Sequence, residues 1–192
     1  MRVLIYGFGP YRQFHQNVTE KILRQLPKQR QLTKIIFPVR FHKRQFTDAI
    51  RNSTPDIILG LGQCSEGRLL RIEARAVNKR RADQREKAKP IVRGGARVLA
   101  TNLKLNFGKA AERSRNAGDY VCNYSMYVML DFLKRHRLSI PFAFVHIPHG
   151  YDKAKARRLL LKVIQQLNGA ETDTNRAAAP KYYSERRATV LC

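Results

Sequence analysis

The chain has 192 residues, of which 43% are hydrophobic, as is typical of one soluble domain with a substantial core. No apolar stretch approaches the length of a membrane-spanning helix, so we expect no membrane association. Three cysteines without a secretory signal predict a reducing compartment, the cytoplasm. Lys and Arg outnumber Asp and Glu by 38 to 14, which gives a formal charge of +24.

The first third of the chain alternates strand and helix patterns. Apolar or β-branched runs predict strands, and apolar residues at helical spacing predict the helices between them. We expect strands at residues 3–6, 34–39 and 56–62, and helices at residues 17–26 and 41–52. This order predicts a parallel sheet that is covered on both faces.

The rest of the chain is less regular. An extended segment near residue 70 precedes a charged loop at residues 79–89, and Gly94-Gly95 indicates a turn. We predict helices at 103–113 and 120–136, a buried strand at 141–147, and a last helix that Asp152 caps and that ends near residue 167. Residues 1–168 would form one domain, and residues 169–192, polar and rich in alanine, a flexible tail.

Chemically active side chains follow several of these elements. Ligands of open α/β sheets bind at the carboxyl ends of strands, where His146 and the Gly62-Gln63 pair lie. Cys122 begins a helix, and both the amides of a helix N-terminus and a nearby imidazole favour a thiolate nucleophile. A carboxylate such as that of Glu73 can orient the imidazole.

Simpler interpretations are also available for these residues. Cys122 lies on the apolar stripe that predicts its helix, and on composition alone a core thiol is the better interpretation. His146 fits a core histidine, and Glu73, among arginines, fits a salt-bridged strand residue. Cys64 has no obvious base nearby and is interpreted as a bystander.

A metal site is not expected. His146 and His149 form an H-x-x-H pair, but Pro148 lies between them and no further ligand has the spacing that zinc requires. We expect no cofactor.

Four separated motifs resemble the pyroglutamyl peptidase I family, the pyrrolidone-carboxylate peptidases. "MRVLIYGFGPY" resembles its N-terminal GFxPF signature, and "PDIILGLGQCSEGRLLRIEARAVN" resembles its strand, glycine-rich loop and glutamate-containing segment. "NAGDYVCNYSMYVML" is similar to the stretch that holds the family's nucleophile, and "FVHIP" to the one that holds its histidine. The motifs occur in family order over about residues 1–168.

The resemblance implies a three-layer α/β/α sandwich with a mostly parallel mixed sheet in a single domain. It also implies a cysteine exopeptidase that removes N-terminal pyroglutamate through a thioester. Cys122 would be the nucleophile, His146 the general base and acid, and Glu73 the carboxylate that orients the imidazole. The partners implied are a peptide with a blocked N-terminus and further copies of the same chain.

The resemblance further implies a small pocket for the lactam ring. Phe8 and Phe14 would supply apolar walls, and Asn17 occupies a family position near the substrate. Gln63 would place a donor near the developing oxyanion.

Several positions depart from the family pattern. Tyr11 replaces a phenylalanine, Arg12-Gln13 replaces a glycine pair, Asp83 stands where the family has an arginine near the site, and Asp119 replaces a threonine. The first three changes bear on recognition of the lactam and on stabilisation of the oxyanion more than on the triad. A carboxylate at Asp119, close to Cys122 in sequence, would disfavour the thiolate if the two side chains approached.

Two alternatives therefore stand beside the peptidase interpretation. One is a catalytically silent relative that binds nucleic acid or acidic peptide through its basic surface, although no nucleic-acid motif is present. The other is an amidase or peptidase for a different N-terminal group, with the same triad and a changed pocket.

Overall fold

A computed structural model describes residues 1–11, 15–83 and 85–169. Phe14, Arg12-Gln13 and, apart from Gly169, the tail predicted for residues 169–192 lie outside the described residues. The strands are β1 (Val3–Phe8), β2 (Leu32–Phe37), β3 (Ile57–Cys64), β4 (Leu70–Glu73), β5 (Arg75–Val77), β6 (Val98–Ala100), β7 (Ala111–Ser114) and β8 (Phe142–Pro148). The helices are α1 (Val18–Gln25), α2 (Lys43–Ser53), α3 (Val121–Arg135) and α4 (Lys153–Gly169).

The main sheet has six strands in the order β2-β1-β3-β8-β4-β7. The first four are parallel to one another, β4 runs antiparallel to β8, and β7 is parallel to β4. One apolar cluster packs α1 and α4 on one face of the sheet, and a second packs α2 and α3 on the other. These observations confirm the three-layer α/β/α sandwich with a mostly parallel mixed sheet.

Local sequence explains the ends of the helices. Asn17 precedes α1, and its Oδ1 accepts a hydrogen bond from the backbone N–H of Thr19 at 3.0 Å. Asp152 precedes α4, and its Oδ1 accepts one from the backbone N–H of Lys155 at 2.8 Å. The cap predicted at Asp152 is confirmed.

A small antiparallel hairpin of β5 and β6 lies outside the main sheet and packs on α3. Ala76 and Leu99 pair in register and are buried, while Arg75 and Val98 are exposed on the opposite face. The alternation follows from the twofold period of a strand, which sends successive side chains to opposite faces.

The helix predicted for residues 103–113 is wrong. Residues 101–107 are irregular and precede a short helical turn at Gly108–Ala110, which leads into β7. Leu103, Leu105 and Phe107 alternate towards one apolar cluster, a strand-like period that the helical interpretation overlooked. Asn106 Oδ1 accepts a hydrogen bond from the N–H of Gly108, whose φ of 56° favours glycine.

Across the described ranges, no helix has both the length and the apolar character needed to cross a membrane.

Candidate active site

Three neighbouring strands and one helix end meet at the centre of the sheet. In the strand register His146 on β8 lies opposite Gly62 on β3 and opposite Arg71 on β4. Glu73 ends β4, and Cys122 is the second residue of α3. Segments far apart in the sequence therefore bring a thiol, an imidazole and a carboxylate to one place.

His146 and Glu73 form a buried pair. Nδ1 of His146 lies 2.8 Å from Oε1 of Glu73, and the two residues are 7% and 0% exposed. Burial disfavours the charged imidazolium, but the neighbouring Cys122 sulfur and the Glu73 carboxylate outweigh it and raise the pKa of His146 from 6.5 to about 9. Because Nδ1 faces the carboxylate, Nε2 is the nitrogen that remains for other chemistry.

The sulfur of Cys122 lies near the edge of this imidazole that carries Cδ2 and Nε2. A Cβ built on Gly62 would stand 2.7 Å from Cδ2 of His146 and 2.8 Å from Sγ of Cys122. The sulfur and the ring carbon next to Nε2 are thus separated by no more than the sum of these two distances. Gly62 lets the two groups approach, since any side chain at that position would fill the space that they share.

A cavity of about 330 Å³ opens on the Cys122 side of this cluster. Phe8, Asn17 and Gln63 line it together with Cys122. The volume lies at the lower end of the range for small-molecule pockets.

Phe8, Asn17 and Gln63 are fixed by their own contacts. The Phe8 ring packs edge-on against that of Tyr6 with centroids 6.0 Å apart. Asn17 Nδ2 donates to the carbonyl of Gly9 at 3.1 Å, and Gln63 Oε1 accepts from the N–H of Val18 at 2.9 Å. The side-chain oxygen of Gln63 therefore already accepts a hydrogen bond, and the side-chain NH₂ group remains as a donor for a ligand in the cavity.

An aromatic row at the rim of the cavity was missed in the sequence. The rings of Tyr11 and Tyr120 lie 5.0 Å apart, that of Tyr120 lies 5.3 Å from Phe41, and the guanidinium of Arg80 lies 5.4 Å above Phe41. Tyr11 stood out in the sequence only as a departure from the signature. No periodic pattern links these residues, because they come from separate segments.

Asn123, directly after Cys122, was also missed as a positioning residue. Its buried amide accepts a hydrogen bond from the N–H of Val77 at 2.8 Å and donates to the carbonyls of Val77 and Lys79 at 2.9 and 2.8 Å. The first turn of α3 is thereby fastened to β5. The sequence signal that could have identified Asn123 was its place directly after Cys122 in the stretch "NAGDYVCNYSMYVML".

The altered positions near the site have partners of their own. The Asp119 carboxylate contacts Lys79 Nζ at 3.5 Å and Arg81 Nε at 3.0 Å. Asp83 is exposed, and its Oδ1 accepts a hydrogen bond from the N–H of Arg85.

Cys64 lines the same cavity as Cys122. Its thiol donates to the carbonyl of Glu66 at 3.4 Å, and burial raises its pKa. The N–H of His149 donates to the carbonyl of Cys64 at 2.8 Å. Within the part of the chain that the structure describes, no three His, Cys, Asp or Glu side chains form a group that could hold a metal ion.

Comparison with known proteins agrees with this architecture. The family model for pyroglutamyl peptidase matches residues 1–157. The chain is 27% identical to the pyrrolidone-carboxylate peptidase of Alkaliphilus oremlandii, over 78% of this chain and 79% of the relative. It is 29% identical to that of Staphylococcus carnosus, over 77% and 78%.

Solved structures show the same fold. The pyrrolidone carboxyl peptidase from Thermococcus litoralis superimposes with a TM-score of 0.77 at 20% identity, over 93% of this chain and 99% of that one. The pyroglutamyl peptidase I from Bacillus amyloliquefaciens gives 0.76 at 23% identity, over 84% and 92%. By the match to the family model, which covers most of its length, the chain belongs to the pyroglutamyl peptidase family.

Proposed function

We propose that this protein is a cysteine exopeptidase that removes N-terminal pyroglutamate from peptides. The observation that carries the proposal is the meeting of Cys122, His146 and Glu73 at a cavity of about 330 Å³ in a chain of this family. A thiol beside an imidazole that a buried carboxylate orients is the arrangement used for nucleophilic catalysis by cysteine.

In the first half of the reaction the Cys122 thiolate attacks the carbonyl carbon that joins pyroglutamate to the next residue. Imidazolium at His146 gives its proton to the departing amine as the C–N bond breaks, which leaves a thioester on the sulfur. The raised pKa of His146 supports this role, because it keeps the ring protonated at neutral pH. Glu73 holds Nδ1 and thereby directs Nε2 towards the reacting atoms.

In the second half the neutral imidazole takes a proton from water. The resulting hydroxide attacks the thioester, the C–S bond breaks, and pyroglutamic acid leaves. The thiolate and the imidazolium are restored, so no cofactor takes part in the proposed cycle.

The cavity suits an uncharged lactam. Phe8 offers an apolar wall and the NH₂ group of Gln63 a donor, while Asn17 holds the loop before α1 against Gly9. Phe14 remains a prediction for the second wall. The Gln63 donor is proposed to face the oxyanion or the lactam carbonyl.

Turnover of a fluorogenic pyroglutamyl amide by the purified protein, with reductant and across pH, tests the proposal. Cys122→Ala should lower kcat/KM by about a thousandfold or more, since it removes the nucleophile. The matched control is Cys192→Ala, which removes a thiol with no proposed role and should leave the rate unchanged. An inactive wild type, or an active Cys122→Ala protein, would contradict the proposal.

The same assay separates the alternatives. A library of substrates with other blocked N-termini would reveal an enzyme with the same triad and a different pocket. An unreactive Cys122 together with salt-dependent binding of an anionic partner would favour the silent relative.

Location and assembly are proposed on the same basis. The free thiols of Cys64 and Cys122 support a reducing compartment, and we propose the cytoplasm. An assembly of identical chains is a prediction of the family resemblance, which light scattering would test.

A further inference from the structure

A second, larger cleft lies beside the cavity. It has a volume of about 1170 Å³, and the β5–β6 hairpin, the loop after β5 and residues 115–119 form it. Its basic side chains are all exposed and are those of Arg75, Lys79, Lys89, Arg97 and Arg115. We call it the basic cleft.

The positive charge of the basic cleft is largely uncompensated. Asp119 is the one acidic residue that lines it, and Lys79 and Arg81 already contact that carboxylate. Within residues 1–11, 15–83 and 85–169, no carboxylate lies within ion-pair distance of Lys89, Arg97 or Arg115. A concave surface with cations of one sign concentrates anionic ligands.

The basic cleft also has apolar surface. Val77 and Val98 pair in register on the outer side of the hairpin, and Val98 is 39% exposed. Pro90 and Ala88 line the cleft as well. Aliphatic surface between cations suits a polypeptide with carboxylates, which offers methylene groups as well as charge.

The basic cleft and the catalytic cavity share one segment of chain. Gly118 and Asp119 line the cleft, and Tyr120, Val121 and Cys122 line the cavity. Two residues separate Asp119 from Cys122, so their Cα atoms lie within about 11 Å of each other. An extended peptide covers that distance in about three residues.

The two sites are also joined by hydrogen bonds. Val77 and Lys79 line the basic cleft, and the side chain of Asn123, next to Cys122, bonds to the backbone of both. The wall of the cleft is thus held in a fixed relation to the helix end that carries the thiol.

From this juxtaposition we propose that the basic cleft binds the acidic downstream part of the substrate. The preferred substrates are pyroglutamyl peptides with Asp or Glu from about the third residue onward. This inference rests on the proposed peptidase function and specifies its substrate class.

The test compares peptides of equal length that begin with pyroglutamyl-alanine and continue with four glutamates or four glutamines. For the wild type at low salt we expect KM to be about five- to tenfold lower for the glutamate peptide, since each exposed ion pair contributes modestly. The preference should shrink as salt rises. Arg97→Glu/Arg115→Glu should abolish or reverse it.

The matched control is Arg158→Glu/Lys162→Glu, which makes the same charge change on the exposed side of α4, across the sheet from α3. This control should keep the preference. A small pyroglutamyl amide, which lacks a downstream peptide, measures whether each variant is folded and active. If the wild type does not cleave that amide, the proposed function fails and this inference with it.

Two further outcomes overturn the inference alone. One is cleavage of the small amide with equal KM values for the two peptides. The other is that the wild type binds single-stranded RNA, that Arg97→Glu/Arg115→Glu loses this binding, and that the wild type shows no preference between the two peptides. That result would make the basic cleft a nucleic-acid site.

Discussion

The buried pair of His146 and Glu73 offers the sharpest test of the catalytic proposal. Glu73→Gln keeps the size and shape of the side chain and removes its charge. The carbonyl oxygen of glutamine can still accept a hydrogen bond from Nδ1 of His146, which lies 2.8 Å from the carboxylate oxygen in the wild type. The variant therefore isolates the electrostatic contribution of Glu73 to the imidazolium.

The magnitude follows from the geometry. Coulomb's law at an effective dielectric constant of about 20 gives about 6 kcal/mol for unit charges at this separation, an upper bound. Hydrogen bonds to charged groups contribute about 1.5–3 kcal/mol to stability, against about 1 kcal/mol for neutral pairs. The difference between the charged and the neutral hydrogen bond, about 0.5–2 kcal/mol, corresponds to a fall of about one pH unit in the pKa of His146.

The raised pKa of His146 also determines how the free energy of unfolding changes with pH. The pKa of His146 is raised from 6.5 to about 9, so its stabilising contribution is complete below about pH 6.5 and is lost as the pH rises through about 9. Glu73→Gln should therefore lower the free energy of unfolding most at and below pH 6.5. Above about pH 9 the difference from the wild type should become small.

The assay is the pH profile of kcat/KM with a pyroglutamyl amide. We expect the alkaline limb of Glu73→Gln to move about one pH unit towards neutrality, so that the rate falls about fivefold at pH 9 and changes little at pH 7. The control is Glu112→Gln, which breaks an exposed pair with Arg71 at 3.4 Å and should change little. An unchanged alkaline limb with a rate near that of the wild type would refute the proposed role of Glu73.

Two further substitutions probe how the site is held. In Gly62→Ala the new methyl group would stand under 3 Å from both Cys122 Sγ and His146 Cδ2, so kcat/KM should fall about a hundredfold. Gly150→Ala is the control: the space around Gly150 is open, and the rate should not change. Asn123→Ala removes the three hydrogen bonds to Val77 and Lys79 and should lower the free energy of unfolding, measured in urea, by about 3 kcal/mol. Asn52→Ala, exposed on α2, should have no measurable effect. Full activity in Gly62→Ala, or wild-type stability in Asn123→Ala, would contradict these accounts of the two residues.

The parallel half of the fold was predictable because its signals are long. β1, β3 and β8 are buried on both faces and therefore form continuous apolar runs, and α1 and α2 have apolar stripes at helical spacing. The edge of the sheet was not predictable in the same way. β7 and the hairpin strands have only three or four residues each, too few for a period to be recognised, and their pairing depends on contacts far along the chain.

The site illustrates a different limit. The apolar stripe of α3 makes Cys122 resemble a core residue, and the motifs around it were needed to shift the interpretation towards a nucleophile. The approach of its sulfur to His146 depends on the absence of a side chain at Gly62 and on the hydrogen bonds of Asn123 to Val77 and Lys79. Neither is a periodic property of the sequence, so composition and spacing could not reveal them.

The distribution of charge follows the same logic and bears on function. Along the chain the basic residues between 75 and 115 belong to several separate segments, and the sequence does not show which of them share a surface. The β5–β6 register places Arg75 opposite Ala100, and the turn into α3 brings Arg115 to the same cleft as Arg97. Cations that are dispersed in sequence are thus concentrated next to the thiol, where they can select a substrate as well as attract polyanions in general.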